Sequence, residues 1–210
     1  MGIYQGLKIQ LFDWRYQRLL GFIPLIFFCL ALFIVTQHEF GLNTAIQIVH
    51  ALYLPWIAWS AILYFQPLHD TGAYYALIHH YRKWFGFNFM FLFTLYVSGY
   101  SILILSIDGA FRLIQTYPII LVHHLLLLSF YWMIGAGLIL LLKSFEYAAA
   151  LVLAYTLIEV VTRGEFMPWP HIFYFNEFYG DPMYVQKIGM LVTISFLFLV
   201  LTLIKLFKRE

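Results

Sequence analysis

The sequence predicts an all-α integral membrane protein with six transmembrane helices. Three observations carry that prediction. Of 210 residues, 63% are hydrophobic, 21% aromatic and 10% charged, whereas a soluble domain carries about 25% charged residues. A chain of this length has too much surface for its volume to hide so much apolar material from water. The apolar residues also fall into six runs with no strand-like alternation, so helices that satisfy their own backbones are the expected solution. The net charge of +2 includes no basic block suited to nucleic acid. The single cysteine, Cys29, sits inside an apolar run, which leaves disulfides and thiolate metal sites out of the design.

The chain reads as a single transmembrane domain spanning 1–210, with no internal repeat and no linker. Residues 1–18 place Ile3, Leu7, Leu11 and Trp14 at helical spacing, with Lys8, Arg15 and Arg18 kept polar. That pattern suits a helix lying in the headgroup plane; a disordered start is the competing reading. Thr36, Gln37, His38 and Glu39 follow the first apolar run where a cleavable signal would carry small residues. The spans are expected at about 19–35, 44–65, 85–107, 117–142, 145–161 and 184–206. A crossing needs about 20 apolar residues, so the first and fifth are short and the fourth can tilt. Pro24, Pro55 and Pro118 are positioned to start or kink helices.

Lysine and arginine set the orientation. With a cytoplasmic N-terminus, Lys8, Arg15, Arg18, Arg82, Lys83, Lys143, Lys205, Lys208 and Arg209 lie inside, and only Arg112, Arg163 and Lys187 outside. That bias places both termini in the cytoplasm. Lys143 and Ser144 alone join the fourth and fifth spans, a tight hairpin. The outer segment 162–183 is dense in aromatics, which favour the membrane boundary. Pro168 and Pro170 suit a helix start there. It reads either as a lid, with Trp169, Phe173 and Phe175 as outer gate candidates, or as an aromatic belt.

Polar residues inside spans are expensive and point to function or to helix contacts. Gln47, His50, Tyr53, Ser60 and Tyr64 fall along one face of the second span, and Thr94, Ser98 and Ser101 along one face of the third. Both stripes are expected to face other helices or a wet cavity. Ala150 and Ala154 form a small-xxx-small pair in the fifth span. Glu159 is placed to pair with Arg163 four residues on. Together Gln47, His50, Tyr53, Ser60, Thr94, Ser98 and Glu159 are the candidates for a translocation path. His50 and His123 each lie six residues into their spans, at matching depth. A pair formed by His50 with His123 or His124 could ligate haem iron or another metal; hydrogen bonding between packed helices is the plainer role. No Gly-rich phosphate loop is present.

The longest polar interruption is 66–83, QPLHDTGAYYALIHHYRK. It reads as a cytoplasmic helix carried between the second and third spans, with Tyr74, Tyr75 and Trp84 of the type that anchors interfaces. A helix that merely snorkels at the headgroups is the alternative.

Six spans are similar in number to rhomboid-type intramembrane proteases. The nearest nucleophile motif, Tyr96-Val97-Ser98-Gly99, lacks its first glycine, and the sixth span has no histidine base. The architecture more closely resembles the membrane subunits of bacterial type-two ABC exporters, along the whole chain. The sharpest likeness is the acidic residue, glycine, short helix and basic residues after the second span: Asp70, Gly72, Ala73 to Ile78, then Arg82, Lys83 and Trp84. That family often has a proline just before the basic residues, where this chain has His79, His80 and Tyr81. The resemblance implies that 66–84 is a coupling segment docking on a separate cytoplasmic ATPase through Asp70, Gly72, Tyr74, Tyr75, Leu77, Arg82 and Lys83. It implies two paired permease chains, identical or related, in the bacterial inner (plasma) membrane. It implies no catalytic site and no cofactor in this chain, with ATP and Mg on the ATPase. The cargo would be a peptide, bacteriocin, antibiotic or lipid.

Overall fold

The computed structural model describes residues 22–37, 41–70, 74–111, 119–162, 172–173 and 182–207. The side chains of Asp70, Tyr74, Tyr75 and Leu77 lie outside that description, as do Gly72, Pro118, Arg112, Arg163, Trp169, Phe175 and the amphipathic segment 1–18.

The described residues fall almost entirely into helices. They are α1 (Ile23–Thr36), α2 (Leu42–Leu52), α3 (Pro55–Phe65), α4 (Pro67–Asp70), α5 (Tyr74–Phe111), α6 (Ile119–Leu142), α7 (Phe145–Thr162) and α8 (Pro182–Phe207). Five stretches are long and apolar enough to cross a membrane: Thr44–His69, Tyr81–Gly109, Leu121–Leu142, Phe145–Thr162 and Val185–Phe207. The chain is thus an all-helical, multi-pass membrane protein. The first expected span appears as the shorter apolar helix Ile23–Thr36, of 14 residues.

The second span is broken. Pro55 has no N–H for the Ala51 carbonyl, so the helix tightens at Tyr53 and Leu54 and restarts with proline in its first turn. Gln47 and His50 thereby sit on α2, while Ser60 and Tyr64 sit on α3.

The third span differs most from expectation. The polar segment is not a separate short helix, because α5 runs without a break for 38 residues. At 1.5 Å per residue it is about 57 Å long, against about 30 Å of hydrocarbon. Polarity does not end a helix; a backbone breaker does, and His79, His80 and Tyr81 supply none. Tyr81 packs against Tyr64 and Phe65 with ring centroids 4.9 and 5.7 Å away. Arg82 Nε donates to the Leu206 carbonyl at the end of α8. Lys83 is exposed.

The core sits where α3 lies against α6. Trp132 on α6 is fully buried and meets Phe65, Phe85 and Phe89 at 6.3, 5.7 and 4.8 Å. One turn on, Gly135 lets the two backbones touch: a Cβ there would lie 2.8 Å from Ala58 Cα and 3.0 Å from its carbonyl carbon. This glycine–alanine contact plays the part expected of Ala150 and Ala154. Those two are exposed on the outer face of α7.

The α6–α7 hairpin is confirmed at Lys143 and Ser144. Lys143 adopts φ 56°, the left-handed conformation that closes a helix, and its N–H donates to Ile139 O at 2.9 Å. Ser144 caps α7, accepting from Tyr147 N–H at 3.4 Å and donating to Glu146 Oε2 at 2.7 Å. A lysine held there carries a steric cost of about 1 kcal/mol that glycine avoids. Lys143→Gly is therefore expected to raise the thermal unfolding midpoint in detergent, whereas Lys143→Ala leaves it unchanged. Equal effects of the two substitutions would remove the backbone explanation.

Candidate functional site

Four helices bring ionisable side chains together at the end of the bundle opposite Arg82 and Lys143. His50 comes from α2, His123 and His124 from α6, Glu159 from α7 and Lys187 from α8. The three histidines and Glu159 are 0% exposed and Lys187 is 3% exposed. Ionisable groups inside a membrane bundle persist only where partners hold them. Here the partner is main chain. Ile172 and Phe173, from the outer aromatic segment, are buried among these groups.

Side chains from three helices hold the main chain of that dipeptide. Glu159 Oε1 accepts from Ile172 N–H at 3.1 Å. His123 Nε2 donates to Ile172 O at 2.9 Å, and Lys187 Nζ donates to Phe173 O at 3.1 Å. The Phe173 ring lies 5.0 Å from the His50 ring and 6.2 Å from that of Tyr131. Tyr155 OH also donates to Glu159 Oε1 at 2.9 Å, and Tyr131 OH bonds Thr156 Oγ1 at 3.0 Å. Among the described residues, Glu159 Oε2 and His50 Nδ1 have no hydrogen-bond partner.

Counting depth from the span ends locates the histidine group, but the close pair is His50 with His124. Their Nε2 atoms are 2.5 Å apart, so one ring donates to the other. His123, one residue earlier and about 100° around the helix, points instead at Ile172. A metal with imidazole bonds of about 2.0–2.1 Å would need the two nitrogens well over 3 Å apart, and axial haem ligation about 4 Å. Among the described residues no three His, Cys, Asp or Glu form a metal-holding group.

The remaining path candidates lie elsewhere. Tyr53 OH donates to Tyr96 O at 2.8 Å, and Tyr96 OH donates to Trp56 O at 2.6 Å. Tyr96 has then spent its proton, so the Ser60 hydroxyl donates to it across 2.6 Å. Asn88 Nδ2 donates to Tyr64 OH. These bonds stitch α3 to α5. Gln47 is half-buried on α2. Thr94, Ser98 and Ser101 are exposed, and Ser98 and Ser101 bond their own helix's carbonyls at Thr94 and Val97, each 2.8 Å away. Such back-bonding lets a hydroxyl face lipid with its proton satisfied. Ser98, Gly99, Tyr53 and Ser60 line an apolar cleft of about 370 Å³ between α1, α3 and α5. Of the seven candidates, His50 and Glu159 lie in the buried cluster, Tyr53, Ser60 and Ser98 line the lateral cleft, and Gln47 and Thr94 belong to neither.

Glu159 uses its carboxylate on Tyr155 and Ile172; its expected partner Arg163 lies outside the described residues. Of the gate candidates, Phe173 is described and fully buried. Sequence reasoning passed over Lys187, treating it as an outer-loop charge. Its place inside an otherwise apolar span was the available signal. Tyr131 and Thr156 gave no signal, because one hydroxyl in an apolar helix is ordinary.

The fold and the cluster define a multi-pass helical membrane protein with a polar centre sealed by its own chain. No protein-family model matches the sequence, and no curated protein or solved structure matches it either.

Proposed function

We propose that this chain is the permease subunit of an ATP-driven exporter, paired with a second permease chain and a separate cytoplasmic ATPase in a bacterial inner membrane. The observation that carries this reading is the continuity of α5. A force applied near its start, at residues 74–83, is delivered without a joint to the helix that forms one wall of the bundle. Arg82 passes the same force to the C-terminal end of α8, whose other end holds Lys187 against Phe173. The cargo path runs through the histidine end, with Phe173 as its outer closure. ATP and Mg belong to the ATPase.

The test is whether an ATPase copurifies with this chain from its own membranes, followed by Gly72→Trp in the assembled complex. We expect ATP hydrolysis to continue while transport falls at least tenfold. Failure to recover an ATPase from intact membranes, or full transport by the Gly72→Trp complex, would overturn the reading.

A further inference from the structure

We propose that His50, His123, Tyr131, Glu159 and Lys187 form a recognition site for a peptide main chain with an apolar–aromatic residue pair, and that Ile172–Phe173 occupies it as a built-in stand-in. The permease reading supplies the word cargo for such a peptide; the site itself rests on its own geometry.

The stand-in is held in the way a peptide ligand would be. An acceptor from α7 meets an N–H, a donor from α6 meets the next carbonyl, and a donor from α8 meets the carbonyl after that. Every peptide presents that sequence of polar atoms, whatever its side chains. Specificity comes from the slot in which the Phe173 ring contacts His50 and Tyr131. A loop that only sealed the bundle could do so with apolar packing, since replacing buried charges by well-packed apolar side chains is often neutral or stabilising. Instead, charged and imidazole groups from separate helices converge on two residues, at the cost such groups carry in a membrane.

Among the described residues Glu159 Oε2 is buried without a hydrogen bond, and the Phe173 N–H also faces this carboxylate, so both N–H groups of the stand-in turn to Glu159. The same carboxylate argues against a phosphate-bearing lipid, because it would set like charge against the headgroup that Lys187 attracts. A peptide supplies both a donor and acceptors; a phosphate supplies acceptors alone.

A stand-in and a ligand compete, and that gives the test opposite signs. The protein is reconstituted without an ATPase in nanodiscs, so the outcome is independent of whether one associates. The probe is a fluorescent ten-residue amphipathic peptide containing Ile-Phe, with an Ala-Ala version as control. Phe173→Ala weakens the competitor and is expected to tighten Ile-Phe binding about tenfold, because more of the protein is open to it. In the Phe173→Ala background, where the stand-in competes less, Glu159→Gln removes a charge-assisted bond to the ligand and is expected to weaken binding about tenfold. If Phe173→Ala fails to fold, Phe173→Leu takes its place with the same sign. A merely structural Phe173 would give unchanged or weaker binding, and that result overturns the proposal. So would equal binding of the Ala-Ala peptide, or displacement of the probe by phosphatidylglycerol alone.

Discussion

Adding a single methyl group at Gly135 is expected to destabilise the bundle by about 3 kcal/mol, at the upper end of overpacking costs. The reason is what the methyl meets. The Ala58 main chain lies 2.8 Å away at Cα and 3.0 Å at the carbonyl carbon, with the carbonyl oxygen closer still. Backbone cannot rotate out of the way, so α3 and α6 must separate along their whole contact. That contact carries Trp132 and its aromatic neighbours, which would lose packing together. Between membrane helices, close approach and dispersion supply much of the attraction, so the loss has no hydrophobic compensation. Gly137 provides an internal comparison. Its Cβ would meet the ring of Phe198, which is half-buried and can turn aside, so Gly137→Ala is expected to cost about 1 kcal/mol. Gly189 has nothing within 4 Å, and alanine there gains helix propensity of about 0.5–1 kcal/mol. Thermal unfolding of the three variants in one detergent should rank them in that order. A Gly135→Ala protein as stable as Gly189→Ala would mean that α3 and α6 do not meet there.

Hydropathy carried most of the helices into view from the sequence, because a long apolar run in this composition has only one solution. Pro55 announced the break in the second span. The length of α5 is hidden by a mistaken criterion: the stretch 66–83 is set apart whole for its polarity, although beyond Pro67 and Gly72 its part 74–83 contains no glycine or proline to stop a helix. Small-residue spacing alone misplaced the close contact on Ala150 and Ala154. Such a pair says that a helix could be approached but not which face is approached; Gly135 is identified by its neighbour Ala58. The histidines were legible to within one residue in depth. Which of His123 and His124 would turn to His50 depends on helix rotation, and an apolar run with little periodicity gives no rotation. The capture of Ile172 and Phe173 was not legible at all, since it joins four helices across sequence separations of 13 to 123 residues.

That capture makes a second large effect expected. Glu159→Leu removes the acceptor for Ile172 N–H and Tyr155 OH together, and leaves Lys187 and His123 buried beside a loosened dipeptide. Breaking a buried charged arrangement from one side costs about 3–5 kcal/mol. Lys187→Met should cost a similar amount, because it strands the Phe173 carbonyl and leaves Glu159 without the nearby cation. The two losses overlap. Once the dipeptide has been released by either change, the other group has little left to hold. The double variant is therefore expected to be only slightly less stable than the worse single one, with an interaction energy of about 3 kcal/mol, the upper end for residues in one network. Tyr155→Phe, which removes one bond and leaves the carboxylate on Ile172, should cost about 1 kcal/mol and add independently to Lys187→Met. Unfolding of these four variants and of the Tyr155→Phe/Lys187→Met double in the same detergent measures both couplings. Simple additivity of Glu159→Leu and Lys187→Met, within about 0.5 kcal/mol, would show that the two side chains act on separate parts of the chain. It would also dissolve the cluster as a unit.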